Sequence, residues 1–317
     1  MNEVTKIDGI GSSVRRTEDK KFLTGKGKYT DDINRPGQVQ AYFLRSDVAH
    51  AKIKKIDIKN AQSAPGVVGV FTGDDIAADK VGGPICGWVV PCRDGSATKE
   101  PPHPLLAQGK VRFVGDAIAV VLAETAEQAK SGAELIEVDY EELSPVVDFE
   151  NAGDGAQIHD EVPNNCYFDW ELGDEKATAD ALSGAKKIVK LRVRNNRLVP
   201  NAMEPRCALA EFDNLDDSYT LHTTSQNPHL TRLVLAAFMF AIPESKLRVI
   251  APDVGGGFGS KIYVYIEEAV CVWASKKVGR PVKWTADRTQ AFLTDCHGRD
   301  PVSYTHLRAH ETKANLV

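Results

Sequence analysis

The chain has 317 residues, of which 42% are hydrophobic and 26% charged, and this composition is typical of a globular protein of about two domains. Its net charge of −5 offers no basic surface of the kind that nucleic-acid binding requires. No run reaches the ~18 apolar residues of a membrane span, and the first residues lack the apolar core of a signal peptide, so we expect a cytoplasmic protein.

Residues 21–149 have the pattern of a first domain that mixes strands with short helices, after a polar leader over residues 1–20. Residues 22–33 are rich in glycine and aspartate, which indicates a loop. Thr125, with Gln128 three residues later, has the pattern of a capping box at a helix start. Residues 82–108 are rich in proline and glycine, and we interpret them as an irregular excursion and a candidate interface. The pattern predicts strands at 38–45, 52–57, 67–72, 117–123 and 136–140, and helices at 59–64 and 126–135.

A polar linker over residues 150–177 separates this domain from a second predicted domain over residues 178–300. Gly279 stands where a helix end needs a left-handed residue, and Pro281 blocks continuation of that helix. Because strands and helices alternate in both halves, the expected fold class is α+β, a mixed α/β protein. The pattern predicts strands at 186–194 and 247–251, a hairpin of 211–212 with 218–224, and helices at 228–241 and 266–278.

The cysteine spacing bears on metal and redox chemistry. No Cys-x-x-Cys pair occurs, and the spacings typical of plant-type iron–sulfur clusters and of zinc fingers are absent from the sequence. We therefore expect reduced thiols, and a redox enzyme with this sequence would need another redox centre. The six cysteines are Cys86, Cys92, Cys166, Cys207, Cys271 and Cys296.

The last residues, 301–317, differ in character from the rest of the chain. Residues 302–317 read VSYTHLRAHETKANLV and resemble a translated sequencing adapter. The alternative is a polar helix in which His306 and His310, four residues apart, could bind a metal. We favour the adapter, exclude both histidines from function, and expect the natural sequence to diverge near Asp300.

A glycine-rich segment, VGGGFGSK at residues 254–261, follows a predicted strand. Consecutive glycines let backbone N–H groups approach a ligand, although a structural turn would have the same spacing. A phosphate-binding P-loop requires Gly-Lys-Ser/Thr, but Ser260 separates Gly259 from Lys261. A dinucleotide-binding fingerprint would need glycine at position 260 and an acidic residue about 20 positions later. The spacing alone leaves open whether this segment is a turn or a binding loop.

Several further motifs accompany the glycine segment in a fixed order. Together they are similar to the molybdenum-binding domain of the molybdenum hydroxylases, namely xanthine dehydrogenases, aldehyde oxidoreductases and aerobic carbon monoxide dehydrogenases. Residues 22–33, 45–53 and 111–125 resemble the α/β hammerhead domain of the same family. The motifs are MEPR at 203–206, TSQNPH at 224–229, PE at 243–244, RVIAPD at 248–253, VGGGFGSK at 254–261, GRPVKW at 279–284, DR at 287–288 and HGRD at 297–300.

This resemblance implies a molybdenum–molybdopterin cofactor, often present as its cytosine dinucleotide in bacteria. Gln226 would donate an amide N–H to the apical oxo group of the metal without competing for it. Phe258 would lie beside the metal, so Gln226 and Phe258 would both contact the groups around the metal without binding the metal itself. Gly256, Gly257 and Gly259 would lie against the cofactor, where their N–H groups provide preorganised support.

The resemblance also points to residues around the substrate. Glu204 and Arg206 are expected near the substrate funnel, although a structural salt bridge is the alternative. Purine-hydroxylating members carry a glutamate where this sequence has Ile262, which argues against xanthine as substrate. Aldehydes, other aromatic heterocycles and carbon monoxide remain. Cys207 replaces a glycine usual in the family.

The implied reaction inserts oxygen derived from water into a small molecule, with a glutamate as general base. We expect that glutamate beyond the present sequence, so this fragment carries no catalytic residue of its own. Electrons would leave through a 2Fe–2S small subunit and an FAD-binding medium subunit, in a dimer of heterotrimers. The alternatives are a non-catalytic pterin- or nucleotide-binding module and an inert truncated fragment. We expect the 317-residue chain alone to bind no molybdenum and to show no turnover.

Overall fold

The structure is a computed structural model, and it describes residues 9–11 and 15–308. Its strands and helices confirm the expected mixed α/β class. The strands are β1 (Val39–Arg45), β2 (Ala51–Asp57), β3 (Val67–Thr72), β4 (Lys110–Val111), β5 (Ala117–Ala123), β6 (Glu137–Glu142), β7 (Ile188–Arg194), β8 (Cys207–Asp213), β9 (Ser218–Thr223), β10 (Leu247–Ile250), β11 (Val282–Thr285) and β12 (Val302–Arg308). The helices are α1 (Asp19–Leu23), α2 (Lys59–Gln62), α3 (Gly73–Ala78), α4 (Ala126–Ala133), α5 (Glu175–Ser183), α6 (Pro228–Leu233), α7 (Ile266–Val278) and α8 (Arg288–Thr294).

A seven-stranded sheet with the order β10-β9-β8-β11-β1-β5-β3 forms the centre of the molecule. Strands β1, β3 and β5 come from the first predicted domain, and β8 to β11 come from the second. The two halves join where β1 pairs in parallel with β11, with Val39 opposite Val282. The predicted domains therefore share one sheet.

The hydrophobic core is also continuous across the two halves. All seven residues of β5 are buried, as expected for an uninterrupted apolar run at the middle of a sheet. Phe43 of β1 meets Trp284 of β11 edge to face, with ring centroids 5.8 Å apart. Helix α7 buries most of its length against β8, β9 and β11, and it ends at Gly279, whose φ of +62° confirms the predicted left-handed cap.

Two smaller sheets lie outside the central one. Strands β4, β2 and β6 form a three-stranded antiparallel sheet. Strands β7 and β12 form an antiparallel ribbon in which every residue of β7 is exposed. Strand β12 falls within the suspected adapter, so the helical alternative for this segment is wrong over residues 302–308. The adapter hypothesis itself stays a prediction, and His310 lies outside the described residues.

The structure departs from the predicted elements at several helices. Residues 22–33 were expected as a loop, yet α1 begins before them and ends at Leu23. Helix α5 begins inside the predicted linker. Neither helix has a buried residue, so neither shows the apolar stripe by which helices are recognised. The predicted helix at 228–241 divides into α6 and a π-helical turn over Val234–Met239. Within the ranges that the structure describes, no helix is long and apolar enough to cross a bilayer.

Candidate functional site

The glycine segment at residues 254–261 forms a loop whose backbone is held in left-handed conformations. Gly256 and Gly259 have φ values of +98° and +91°, which only glycine adopts without strain. Phe258 lies between them with a φ of +50°, although it is not a glycine. A bulky residue in this region costs about 1–2 kcal/mol relative to a right-handed conformation. The loop therefore carries local strain at its aromatic residue.

Gln226, which follows β9, lies directly against this loop. Its backbone N–H donates to the carbonyl oxygen of Lys261 at 2.8 Å, and its side-chain Oε1 accepts from the N–H of Gly259 at 3.0 Å. A Cβ at Gly257 would stand 2.3 Å from Oε1, so only glycine fits there without moving the glutamine. Because Oε1 is engaged with the loop, Nε2 is the side-chain donor that remains, and it makes no hydrogen bond within the described part of the chain.

The segment before Gln226 fixes where its side chain starts. Ser225 is buried, and its hydroxyl accepts from the N–H of Asn227 at 3.0 Å and lies 3.0 Å from the hydroxyl of Thr231. Asn227 caps α6 by accepting from the N–H of Leu230. The Ser-Gln-Asn sequence therefore turns the chain from a strand into a helix and leaves the glutamine exposed at the turn.

Several large apolar side chains in or near the glycine segment are exposed. Phe258 is 77% exposed. Tyr263, two residues after the glycine segment, and Met203, which precedes Glu204, are exposed as well. Large exposed apolar side chains at one place are unusual unless they meet another surface or a ligand. Ile262 is partly exposed next to Tyr263 and adds no polar group to this surface. Gln226, Phe258 and Ile262 are thus all exposed in or against the loop segment.

Glu204 connects to the opposite end of the loop. Its Oε2 accepts from the N–H of Gly255 at 2.7 Å and from the ammonium of Lys261 at 3.1 Å. Burial lowers the pKa of Lys261, and the nearby charge of Glu204 opposes that shift. The carboxylate of Glu204 is therefore hydrogen-bonded to the loop in this structure. Neither the pairing nor the burial of Lys261 was expected from the sequence, because the two residues belong to separate motifs.

Arg206 lies in a buried ion-pair network. Its side chain is 4% exposed, and its guanidinium pairs with Glu267 at 2.7 Å and with Asp295 at 2.6 Å. Burial opposes the ionisation of Glu267, but the charges of Arg206 and Arg45 outweigh it and hold the pKa of that carboxyl at about 2. The structural salt bridge, the alternative for Arg206, agrees with this geometry.

The same network reaches the glycine loop through Tyr265, which no sequence motif marks. The Arg206 guanidinium lies 3.7 Å from the centroid of the Tyr265 ring. The Tyr265 hydroxyl donates to the carbonyl oxygen of Ser260 at 2.6 Å and accepts from the N–H of Cys296 at 2.9 Å. Burial raises the pKa of Tyr265 well above its ordinary value, so the hydroxyl stays a donor.

Three more residues in or next to the sequence motifs are Cys207, His229 and His297. Cys207 is buried with its Sγ 3.3 Å from the hydroxyl of Thr285, and burial raises the pKa of the thiol to about 12. His297 lies 3.0 Å from the carbonyl oxygen of Phe292, and His229 is exposed on α6. Across residues 9–11 and 15–308, no group of three or more histidine, cysteine or acidic side chains is arranged to hold a metal ion.

Residues 82–108, the excursion predicted as a candidate interface, form an apolar groove together with residues 159–170. The cavity has a volume of about 760 Å³ and includes Trp88, Phe168 and Trp170 among its lining side chains. All three aromatic rings are at least half exposed. The glycine loop contributes no residue to this groove, so the groove and the loop are separate features.

Comparison with protein families gives two matches that together span most of the chain. The molybdopterin cofactor-binding domain matches residues 158–311, and the a/b hammerhead domain of aldehyde oxidase and xanthine dehydrogenase matches residues 24–144. The glycine loop, Gln226 and Glu204 all lie within the first of these matches.

Relatives and solved structures give the same result. The chain is 34% identical to the carbon monoxide dehydrogenase large chain of Afipia carboxidovorans, over 96% of this chain and 38% of that protein. It is 35% identical to the nicotine 6-hydroxylase large subunit of Paenarthrobacter nicotinovorans, over 92% of this chain and 35% of that protein. Quinoline 2-oxidoreductase from Pseudomonas putida 86 has a similar structure, with a TM-score of 0.83 and 34% identity over 94% of this chain and 37% of that one. The chain thus spans less than two fifths of the length of each of these proteins.

Proposed function

The chain belongs to the family of molybdenum-binding large subunits that includes xanthine dehydrogenases, aldehyde oxidases and aerobic carbon monoxide dehydrogenases, and from this premise we propose that its glycine loop and Gln226 hold a molybdopterin cofactor. The observation that carries the proposal is the contact between Gly257 and Gln226. The missing Cβ at Gly257 leaves room for the glutamine side chain, and Gly259 donates to Oε1, which leaves Nε2 as the side-chain donor.

The residues present fit such a cofactor. When bound, the cofactor supplies the redox-active metal and activates oxygen derived from water. Gln226 provides one neutral N–H donor, which can bind an oxygen acceptor without a charge of its own. The glycines at 256, 257 and 259 let the backbone approach a bound group closely. The exposed ring of Phe258 provides an apolar wall that excludes water from the group beside it.

We place the substrate among small aldehydes and aromatic heterocycles ahead of carbon monoxide. Ile262 supports this choice because it contributes no hydrogen-bonding group where a polar purine would need one. Two of the similar proteins are named for nicotine and quinoline, which are aromatic heterocycles. The glutamate general base would come from the part of the subunit that corresponds to the remaining length of the relatives.

We further propose that this subunit works in a cytoplasmic complex with an iron–sulfur small subunit and an FAD-binding medium subunit. The names of the relatives, such as "large chain" and "complex subunit gamma", support a complex of several chains. The cysteines of this chain have no cluster-type spacing, so electrons would leave to clusters on a partner. The cytosine dinucleotide form of the cofactor and a dimer of heterotrimers belong to the same proposal.

The test is the molybdenum and pterin content of the complex purified from cells that carry this gene. We expect about one molybdenum and one pterin per large subunit. In Gln226→Glu, the side chain keeps an oxygen for the Gly259 N–H but loses its donor, and both contents should fall together. Gln62→Glu, on the exposed face of α2, is the matched control and should leave them unchanged. Pterin or nucleotide without molybdenum would support a non-catalytic binding module, and neither pterin nor metal in the wild-type complex would refute the proposed site.

A further inference from the structure

Lys261 carries a buried positive charge at the end of the glycine loop. Its side chain is 1% exposed, and its ammonium donates to the carbonyl oxygen of Glu204 at 2.8 Å and to Glu204 Oε2 at 3.1 Å. Burying an ammonium is costly unless it is paired and hydrogen-bonded. Both of its described acceptors belong to Glu204, so the position of Lys261 depends on that one residue.

Glu204 also contacts the beginning of the loop. Its Oε2 also accepts from the N–H of Gly255 at 2.7 Å, and its own N–H donates to the carbonyl oxygen of Gly255 at 3.1 Å. The two backbones are so close that a Cβ at Gly255 would stand 2.5 Å from the Cβ of Glu204. The carboxylate therefore joins both ends of the loop, Gly255 through its N–H and Lys261 through its ammonium.

Lys261 also holds Gln226 through its main chain. The carbonyl oxygen of Lys261 accepts from the backbone N–H of Gln226 at 2.8 Å, and the Gln226 side chain accepts in turn from Gly259. A shift of Lys261 would thus move the loop and the glutamine together. No other side chain in the described part of the protein bonds both to Gly255 and to Lys261.

We propose that Glu204 and Lys261 are positioning residues, which set the distance between the glycine loop and the amide of Gln226 for the bound cofactor. This inference rests on the proposed function, because the cofactor is what the loop and the amide would hold. It also gives Glu204 a role different from the funnel position expected from the sequence. The role is structural support of the binding geometry and involves no contact with substrate.

Amide hydrogen exchange tests the proposal without any cofactor. In Lys261→Met, we expect amides in residues 254–262 to exchange at least tenfold faster than in wild type. Lys283→Met is the matched control, because Lys283 is also buried and donates to the backbone carbonyl oxygens of Asp31 and Ile33, which are not part of the loop. Its loop amides should exchange within about twofold of the wild-type rate, which would show that losing a buried lysine is not sufficient by itself.

Rescue by a conservative variant separates positioning from general stability. Lys261→Arg keeps the cation and should return the loop amides to within about threefold of the wild-type rate. If Lys261→Met does not fold, Glu204→Gln removes the negative charge while keeping the size and an acceptor for the Gly255 N–H, and its loop should exchange at least threefold faster. Wild-type exchange rates in Lys261→Met or Glu204→Gln would overturn the proposal, and so would equally fast exchange in Lys261→Arg and Lys261→Met.

A second measurement links the loop to the cofactor. In the purified complex, Lys261→Met should lower pterin content at least threefold, whereas Lys283→Met should not. Faster loop exchange with undiminished pterin content would overturn the positioning role. The absence of pterin from the wild-type complex would instead refute the proposed function, and the exchange data would still report on the coupling of Glu204 and Lys261.

Discussion

Replacing Gly257 with alanine tests whether the glutamine and the loop are in the contact on which the proposed site depends. The new Cβ would lie 2.3 Å from Oε1, 2.4 Å from Cδ and 2.7 Å from Cγ of Gln226. Because the nearest three atoms all belong to one side chain, the steric conflict is specific to Gln226. The φ of Gly257 is not in the left-handed region, so alanine adds no backbone strain there.

The expected free energies follow from these contacts. Gln226→Ala loses the hydrogen bond from Gly259, which is worth about 0.5–1.5 kcal/mol. Gly257→Ala forces the exposed Gln226 side chain to move and so should cost about as much as its hydrogen bond with Gly259, about 0.5–1.5 kcal/mol of unfolding free energy. In the Gln226→Ala background the three conflicting atoms are gone, so the same alanine at 257 should cost nearly nothing. The coupling energy between the two substitutions is therefore expected to be about 0.5–1.5 kcal/mol.

Urea denaturation of the four proteins in this double-mutant cycle measures the coupling directly. Gly87→Ala is the control, because a Cβ there meets no described atom within 4 Å and the residue is exposed. It should change the unfolding free energy by less than about 0.5 kcal/mol. If Gly257→Ala costs the same in both backgrounds, the two residues are not in contact and the geometry of the site is wrong.

Three further predictions concern charge and backbone strain. Burial raises the pKa of Asp116 from 3.8 to about 6, so the folded state keeps a proton that the unfolded state has released, and the free energy of unfolding falls as the pH rises from about 4 to 6. Asp116→Asn should remove this fall, which is at most about 3 kcal/mol, when urea denaturation is measured at both pH values. An unchanged pH dependence in the variant would contradict the shift. Glu267→Gln should cost about 3–5 kcal/mol because it removes the carboxylate that the buried guanidinium groups of Arg206 and Arg45 share and leaves Arg206 with Asp295 alone, whereas Asp217→Asn at an exposed ion pair should cost less than about 1 kcal/mol; similar costs would contradict the burial of the network. Phe258→Gly should leave the unfolding free energy unchanged or raise it by up to about 1 kcal/mol, because glycine adopts the positive φ without strain and the ring that is removed is exposed. A decrease in unfolding free energy of more than about 1 kcal/mol would refute this account.

Most strands could be predicted because their signals are local. The buried run of β5 and the capping box of Thr125 with Gln128 each depend on residues within a short segment, and the structure has both. The shared sheet could not be predicted in this way. It depends on the parallel pairing of Val39 with Val282. These residues are far apart in sequence, and no local pattern indicates that they pair. The predicted domain limits therefore follow the sequence pattern, but strands from both sides of the predicted linker pack in one sheet.

The candidate site shows the same division. Gln226 and the loop glycines were selected because motifs of a known family mark them, and the structure places them together. Arg206 belongs to an equally clear motif, yet the sequence could not distinguish a funnel residue from a buried ion pair, because its partners Glu267 and Asp295 lie in other segments. The sequence indicates no role for Lys261, because Ser260 separates it from Gly259 and so excludes a P-loop. Its pairing with Glu204 depends on tertiary contacts.

Phe258 illustrates why the loop is better explained by binding than by stability. A turn built only for folding would place glycine or asparagine at a positive φ, because a bulky side chain there is strained. Burial of the ring could offset that strain, but the ring is 77% exposed. The flanking Gly256 and Gly259 also adopt left-handed conformations, and Gly257 leaves room for Gln226, so each of these glycines stands where a side chain would cause strain or a steric conflict. Local strain that brings no gain in packing is typical of functional sites, and we infer that a bound group supplies the contact for which this conformation is retained.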